Sequence, residues 1–390
     1  MASTLHEKLA LFDPHLPLER ARTIPSSWYF DPEIYAAECR SVFRNTWQWL
    51  GRLDQLAETG SFFTMDLAGE PIMVVRDQEG KIRAFYNVCR HRAGRVVEQE
   101  QGKVSKLRCR YHGWTYDLAG RLRGTPEFEG VEDFFREDNG LVELEVDTWD
   151  GLVWVRQSAA QDGAKPLSLA EYLAPMPERT EKLNLGGLRF VERRHYDLAC
   201  NWKVYVDNYL DGGYHVNTVH PGLAGVLDYS EYRTEIEGHT SVQHSPMKPA
   251  DPHADAVTGK VRSGDTAHYW WIFPNFMLNA YQGLMDVNLV LPLGPERCRV
   301  IFDLYFADTE ATQARQFMAD SIAVTHQVQM EDVGICEEVQ RGLASRSYEA
   351  GRFSVRREIA GYHFHRLLAR YLEAEANRQA QAKGASGGQA

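Results

Sequence analysis

The chain has 390 residues, 44% hydrophobic and 25% charged, enough to fill one large core with an attached module or roughly two or three domains. Lys plus Arg number 43 against 54 Asp plus Glu, and the formal net charge of −11 argues against a protein that neutralises nucleic-acid phosphates. Six Cys are too few for a disulfide-stapled scaffold, no apolar run approaches the roughly 18 residues of a membrane span, and MASTLHEKLALFDPHLPLER lacks the basic-then-apolar order of a secretory signal, so the expectation is a cytoplasmic protein with reduced thiols and neither a membrane nor a nucleic-acid partner.

In chain order, residues 1–45 read as an N-terminal helical arm. Pro32 opens a helix that places Ile34, Tyr35, Cys39, Val42 and Phe43 on one face. Residues 46–157 read as an all-β module: SFFTMDL, PIMVVRD, KIRAFYNV, KVSKLRC, WTYDLAGRL and GLVWVRQ are short β-rich runs separated by turns such as those at Gly69 and Gly80. The Ala-, Pro- and Ser-rich stretch near 158–180 marks a boundary. Residues 158–376 then alternate strand runs with helical stretches at 201–212, 309–344 and 362–376, which fits an antiparallel sheet covered by helices. The fold class expected is thus α+β, with a flexible tail at 377–390.

The sharpest signal in the β module is Cys89-Arg90-His91, then 17 residues, then Cys109-Arg110-Tyr111-His112. One such pair is an ordinary loop, but two pairs that each follow a strand point to a metal. A structural zinc site uses the same ligand types. However, one Cys and one His per loop suit a two-iron cluster in which one iron takes both thiolates and the other both imidazoles. CRHRAGRV and CRYHGWTYDLAGRL resemble the two cluster loops of the Rieske family, with Gly94 and Gly113 placed to let backbone approach the sulfurs.

A second anomaly is NWKVYVDNYLDGGYHVNTVH. Here His215 and His220 are five residues apart, and Asp211 lies four before His215, on one face if the segment is helical. Gly212 and Gly213 hint at a break. The pair reads either as two unrelated histidines or as part of a 2-His-1-carboxylate iron site with open positions for dioxygen. Spacing alone does not choose the third ligand from 54 acidic residues.

With both motifs in view, the chain from about 40 to 370 resembles the large subunits of Rieske non-haem iron oxygenases. YWWIFPNFMLNAYQGLMDVNLVLPLGP and MEDVGICEEVQRGL are most similar to the choline monooxygenase branch and its relatives acting on quaternary ammonium compounds. The resemblance implies a [2Fe–2S] cluster on Cys89, His91, Cys109 and His112, and Fe(II) on His215, His220 and Asp332. It implies Asp211 as the acid bridging the two metal sites, although three residues separate it from His215 where many members have two, which keeps Asp207 and Asn208 as alternatives. It further implies dioxygen as co-substrate, a separate reductase or ferredoxin fed by NAD(P)H, a head-to-tail homotrimer, and monooxygenation of a small-molecule substrate such as choline, betaine or carnitine. Six aromatic rings lie between Tyr269 and Tyr281, and Trp271, Phe276 and Tyr281 are taken as candidates for a cation-binding box. Two readings compete: a Rieske oxygenase of aromatic acids, and a Rieske electron carrier without a second iron.

Overall fold

The computed structural model describes residues 4–158, 166–248 and 257–387. By its packing the chain divides into two compact units, Phe43–Leu169 and a second formed by Met1–Val42 with Ala170–Ala390. Residues 159–165, in the expected boundary stretch, lie outside the described residues.

The unit Phe43–Leu169 is built from β1 (Gln48–Arg52), β2 (Ser61–Leu67), β3 (Glu70–Arg76), β4 (Ile82–Tyr86), β5 (Gln101–Lys103), β6 (Leu107–Arg108), β7 (Thr115–Tyr116), β8 (Leu122–Gly124), β9 (Glu143–Trp149) and β10 (Leu152–Arg156). Seven of them form one sheet in the order β1-β10-β9-β4-β3-β2-β5, while β6, β7 and β8 form a small second sheet. Phe62, Met73, Val75 and Phe85 from the large sheet, Leu107 and Tyr116 from the small one, and Trp114 just before β7 share a core. Cys89 and Cys109 are part of that core.

The second unit is organised around one long antiparallel sheet. Its strands are β11 (Arg189–Leu198), β12 (Arg233–Glu237), β13 (Thr240–Pro246), β14 (Thr266–Ile272), β15 (Phe276–Tyr281), β16 (Leu284–Gly294) and β17 (Arg297–Phe306), in the order β11-β17-β16-β15-β14-β13-β12. Central strand β16 is buried from Leu284 to Pro292, as a strand covered on both faces must be. The helices that build the site are α1 (Pro32–Asn45), α2 (Trp202–Tyr209), α3 (Val216–Val219), α4 (Thr258–Val261), α5 (Thr312–Leu343) and α6 (Ile359–Gly387). The sequence reading ends the last helix at 376; its backbone in fact continues as helix to Gly387, and 388–390 lie outside the described residues.

Residues 1–42 belong to this second unit rather than standing apart as an arm, and a buried ion pair shows why. Lys203 Nζ on α2 lies 2.6 Å from Glu38 Oε1 on α1, and Trp202 Nε1 donates to Glu38 Oε2 at 2.8 Å. Neither charged side chain has any exposed surface. Two charges taken out of water hold only while paired. Glu38→Ala strands Lys203 and is expected to cost about 3–5 kcal/mol of unfolding free energy. The check is the denaturation midpoint followed by tryptophan fluorescence; a shift worth under about 1 kcal/mol would mean the pair carries little.

Candidate active site

The two cluster loops repeat one backbone device. Cys89 N–H donates to Gly94 O at 2.8 Å and Ala93 N–H to Cys89 O at 3.0 Å. In the second loop Cys109 N–H donates to Trp114 O at 2.9 Å and Gly113 N–H to Cys109 O at 3.0 Å. Ala93 and Gly113, each four residues past its Cys, both take positive φ, +57° and +75°. A Cβ on Gly94 would sit 3.4 Å from Cys109 Sγ, an ordinary contact, so the sulfur does not demand glycine there; Gly113 answers to its φ and not to a sulfur. Both thiols are buried, whereas His91 is half-buried and His112 exposed. The imidazoles lie with ring centroids 4.7 Å apart, His91 stacked on Trp114 and His112 on Tyr111. Tyr116 Oη touches Cys89 Sγ at 3.3 Å. Burial pushes the Cys109 thiol up. An inner pair of sulfurs and an outer pair of imidazoles is the donor order a Rieske cluster requires.

The second centre forms where α2 breaks. Leu210 caps α2, and Gly212 and Gly213 take φ of +69° and +71°. A Cβ on Gly212 would land 2.1 Å from the Arg357 carbonyl oxygen, so the chain must carry glycine there to turn. Asp211 and His215 therefore meet across a turn rather than along one continuous helix. His215 Nδ1 donates to Asp211 Oδ2 at 2.6 Å, and His220 Nδ1 donates to Glu331 Oε2 at 2.7 Å. With each Nδ1 turned to a carboxylate, both Nε2 atoms are left facing the centre. They lie 3.0 Å apart, and Asp332 Oδ1 is 3.1 Å from His220 Nε2 and 3.8 Å from His215 Nε2. Three acceptors converging in this way call for a cation, and carboxylates behind both imidazoles are the usual support of a metal-bound histidine. Among the described residues these three form the one His/Cys/Asp/Glu group whose ligand atoms all lie within 4.8 Å of one another. The donor sets of this chain thus fit a two-metal cluster in one unit and a single ion in the other.

Sequence reading missed Glu331 and Asn208 as supports. Glu331 was visible beside Asp332, but only the helix rotation of α5 shows that the neighbours serve different atoms. Asn208 Nδ2 donates to Asp332 Oδ1 at 2.7 Å. Asp207 is enclosed differently: Tyr29 Oη donates to its Oδ2 at 2.6 Å and His365 Nε2 to its Oδ1 at 2.8 Å.

A cavity of about 100 Å³ opens on His215, His220 and Asp332. Sheet register sets its wall. Gln243, Tyr269, Asn279 and Asp286 stand opposite one another across β13, β14, β15 and β16, and Tyr281 and Asn288 lie two residues along on the same face. Tyr209 and Tyr232 close the side near the helix break, where the Tyr232 ring would meet a Cβ on Gly213 at 2.9 Å. The phenol groups are tied down: Tyr209 donates to Asn279 Oδ1 at 2.8 Å, and the hydroxyls of Tyr269 and Tyr281 lie 2.8 Å apart. Burial holds these phenols well up, so they face the cavity as neutral rings.

Of the three expected aromatic candidates, Tyr281 lines the cavity and Trp271 and Phe276 do not. Trp271 shares the face of Tyr269 but stands one row further on, under Phe364 of α6 with centroids 5.7 Å apart. Phe276 has the opposite parity to Asn279 and Tyr281 and so belongs to the other face of β15. The ring of Tyr281 is itself occupied, with Arg262 Cζ 4.7 Å from its centroid.

Comparison with known proteins agrees with this geometry. Residues 46–135 match the Rieske [2Fe-2S] domain, and residues 185–374 match the ring hydroxylating alpha subunit (catalytic domain). The chloroplastic choline monooxygenase of Arabidopsis thaliana is 41% identical over 95% of this chain and 88% of its own. The carnitine monooxygenase oxygenase subunit of Escherichia coli (strain K12) is 30% identical over 91% of this chain and 95% of its own. The crystal structure of the quaternary ammonium Rieske monooxygenase CntA superposes with a TM-score of 0.80 at 27% identity, covering 95% of this chain and 99% of that one.

A cluster module joined to a catalytic unit with an open three-ligand centre is the oxygenase component of a Rieske non-haem iron system, and this chain belongs to that family as a large, or α, subunit. Within the family it falls in the branch that contains choline and carnitine monooxygenases. It is an oxidoreductase that uses a Rieske [2Fe–2S] cluster, mononuclear iron, dioxygen and reductase-derived electrons. The electron-carrier alternative fails, because the catalytic domain and its His215–His220–Asp332 group are both present.

Proposed function

We propose that this chain monooxygenates a small quaternary ammonium compound, by hydroxylation, oxidation or N-demethylation. The observation that carries the reading is the tyrosine-walled cavity at the three-ligand centre. A quaternary ammonium makes no hydrogen bonds, so neutral ring faces attract it best, each worth about 0.5–2 kcal/mol. Tyr209, Tyr232 and Tyr269 supply such faces on the cavity wall. CntA, the similar protein above, has been crystallised with L-carnitine and with γ-butyrobetaine.

In this reading Cys89, His91, Cys109 and His112 hold the cluster, and His215, His220 and Asp332 hold the iron. When bound, the cluster supplies electrons one at a time and the iron activates dioxygen. The protein's own work is positional. Asp211 and Glu331 fix the imidazole tautomers, Asn208 orients Asp332, and the tyrosines hold the substrate while displacing water. Asp211 is the proposed electron bridge, because its carboxylate touches an iron-ligating histidine, whereas Asp207 is held by Tyr29 and His365. The working assembly we propose is a homotrimer, cytoplasmic, reduced by a separate reductase or ferredoxin that draws on NAD(P)H. In support, a related quaternary ammonium Rieske monooxygenase is described with inter-subunit electron transfer. Among the described residues no helix is long and apolar enough to cross a membrane.

The test is a substrate panel scored for dioxygen uptake coupled to product. N-demethylation releases formaldehyde; oxidation of the choline alcohol carbon gives the aldehyde hydrate. Coupled turnover is expected with at least one quaternary ammonium compound. Coupled turnover with benzoate-type acids alone would overturn the reading.

A further inference from the structure

The geometry points to Arg262 as a specificity residue that selects a betaine, a quaternary ammonium bearing a carboxylate, over a purely cationic substrate. This deepens the proposed function and rests on it.

Arg262 caps the short helix α4 and lines the cavity with only 4% of its surface exposed. Its Nη2 donates to Thr325 Oγ1 at 2.7 Å. Nε and Nη1 are buried with no hydrogen-bond partner. A guanidinium does not shed its charge, and although the Tyr281 ring lies beside it, two of its buried nitrogens have no acceptor, which is costly. The nearest acid on the cavity wall, Asp286, does not answer them. Its Oδ1 already accepts from Asn279 at 2.7 Å and Asn288 at 2.9 Å. Burial pushes the Asp286 carboxyl up, while the Arg262 charge pulls it down. An anion entering the cavity supplies what is missing.

The cavity also has a direction. Thr325, which anchors Arg262, and Asp332 lie seven residues apart on α5, with Gln329 between them on the same face. At 1.5 Å per residue they are roughly 10 Å apart along the helix axis. Tyr232 packs against Gly213, which is two residues from His215, and the side chains of Tyr281 and Tyr269 stand between it and Arg262. The Tyr232 face therefore receives the ammonium near the metal ligands, and Arg262, the arginine that lines the cavity, waits at the far end. A molecule positive at one end and negative at the other matches both. Choline matches only the first and places a second cation in a cavity that already holds Arg262.

The experiment is calorimetric titration of the anaerobic holoenzyme, where no turnover occurs, with γ-butyrobetaine, glycine betaine, choline and benzoate. At least one betaine is expected to bind at least about 10-fold more tightly than choline, because a carboxylate satisfies buried donors that choline leaves unpaired. Arg262→Met is expected to weaken that betaine about 100-fold while choline binds no worse, and Arg262→Lys to recover part of the loss. A measurement on unaltered protein guards against a variant that does not fold: the methyl ester of γ-butyrobetaine keeps the ammonium and loses the charge at the other end, and is expected to bind at least about 10-fold less tightly than its parent acid. Choline binding as tightly as every betaine, ester and acid binding equally, or Arg262→Met weakening choline and betaine in parallel would each overturn the assignment. Binding of benzoate with no quaternary ammonium bound would instead overturn the proposed function beneath it.

Discussion

His215→Ala is expected to leave the visible spectrum of the cluster intact and to reduce substrate oxidation by at least about three orders of magnitude. Three atoms converge at the second centre, His215 Nε2, His220 Nε2 and Asp332 Oδ1. Removing one leaves two ligands, and it also leaves the Asp211 carboxylate without the imidazole N–H it accepts at 2.6 Å. The site then holds metal poorly, while the cluster loops belong to the other compact unit and keep their own hydrogen bonds. Iron analysis should fall from about three to about two per chain, the complement of the cluster alone. Unchanged turnover with full iron would remove His215 from the site.

Asp211→Asn is expected to separate metal binding from electron delivery. The amide is nearly isosteric and keeps one acceptor oxygen, but Asp211 now serves three donors: Tyr214 N–H at 3.0 Å, His215 N–H at 2.9 Å and His215 Nδ1–H at 2.6 Å. An amide cannot serve all three, and it carries no charge to raise the basicity of the imidazole. Under the proposed bridging role, both metals remain bound, and reoxidation of the pre-reduced cluster in a single turnover with substrate and dioxygen slows by at least about 100-fold. A normal single-turnover rate would exclude Asp211 as the bridge and return attention to Asp207.

The chemistry of the metals was legible in the sequence because most of the ligands come in local pairs. Cys89 and His91 share one loop, Cys109 and His112 another, and His215 and His220 flank one short helix, so spacing carries the signal. Asp332 was reached through the family motif alone, since nothing in linear spacing ties it to residues more than a hundred positions earlier. The cavity wall was not legible. Tyr269 and Trp271 have the same strand parity, and only the pairing of β14 with its neighbours and the placement of α6 decide that the first meets substrate space while the second is core. Phe276 failed on parity, which sequence does not fix without the register. Arg262 and Asp286 gave no signal at all, because a buried arginine looks in sequence like any surface one. Glu38 belongs to the same class: its partner Lys203 is 165 residues away, and the contact exists only once α1 lies against α2.

The most direct test of the whole account is the metal and sulfide content of the anaerobically purified, reconstituted chain. About three irons and two acid-labile sulfides per chain are expected, two irons in the cluster and one outside it. Zinc in place of iron, or iron without acid-labile sulfide, would contradict it.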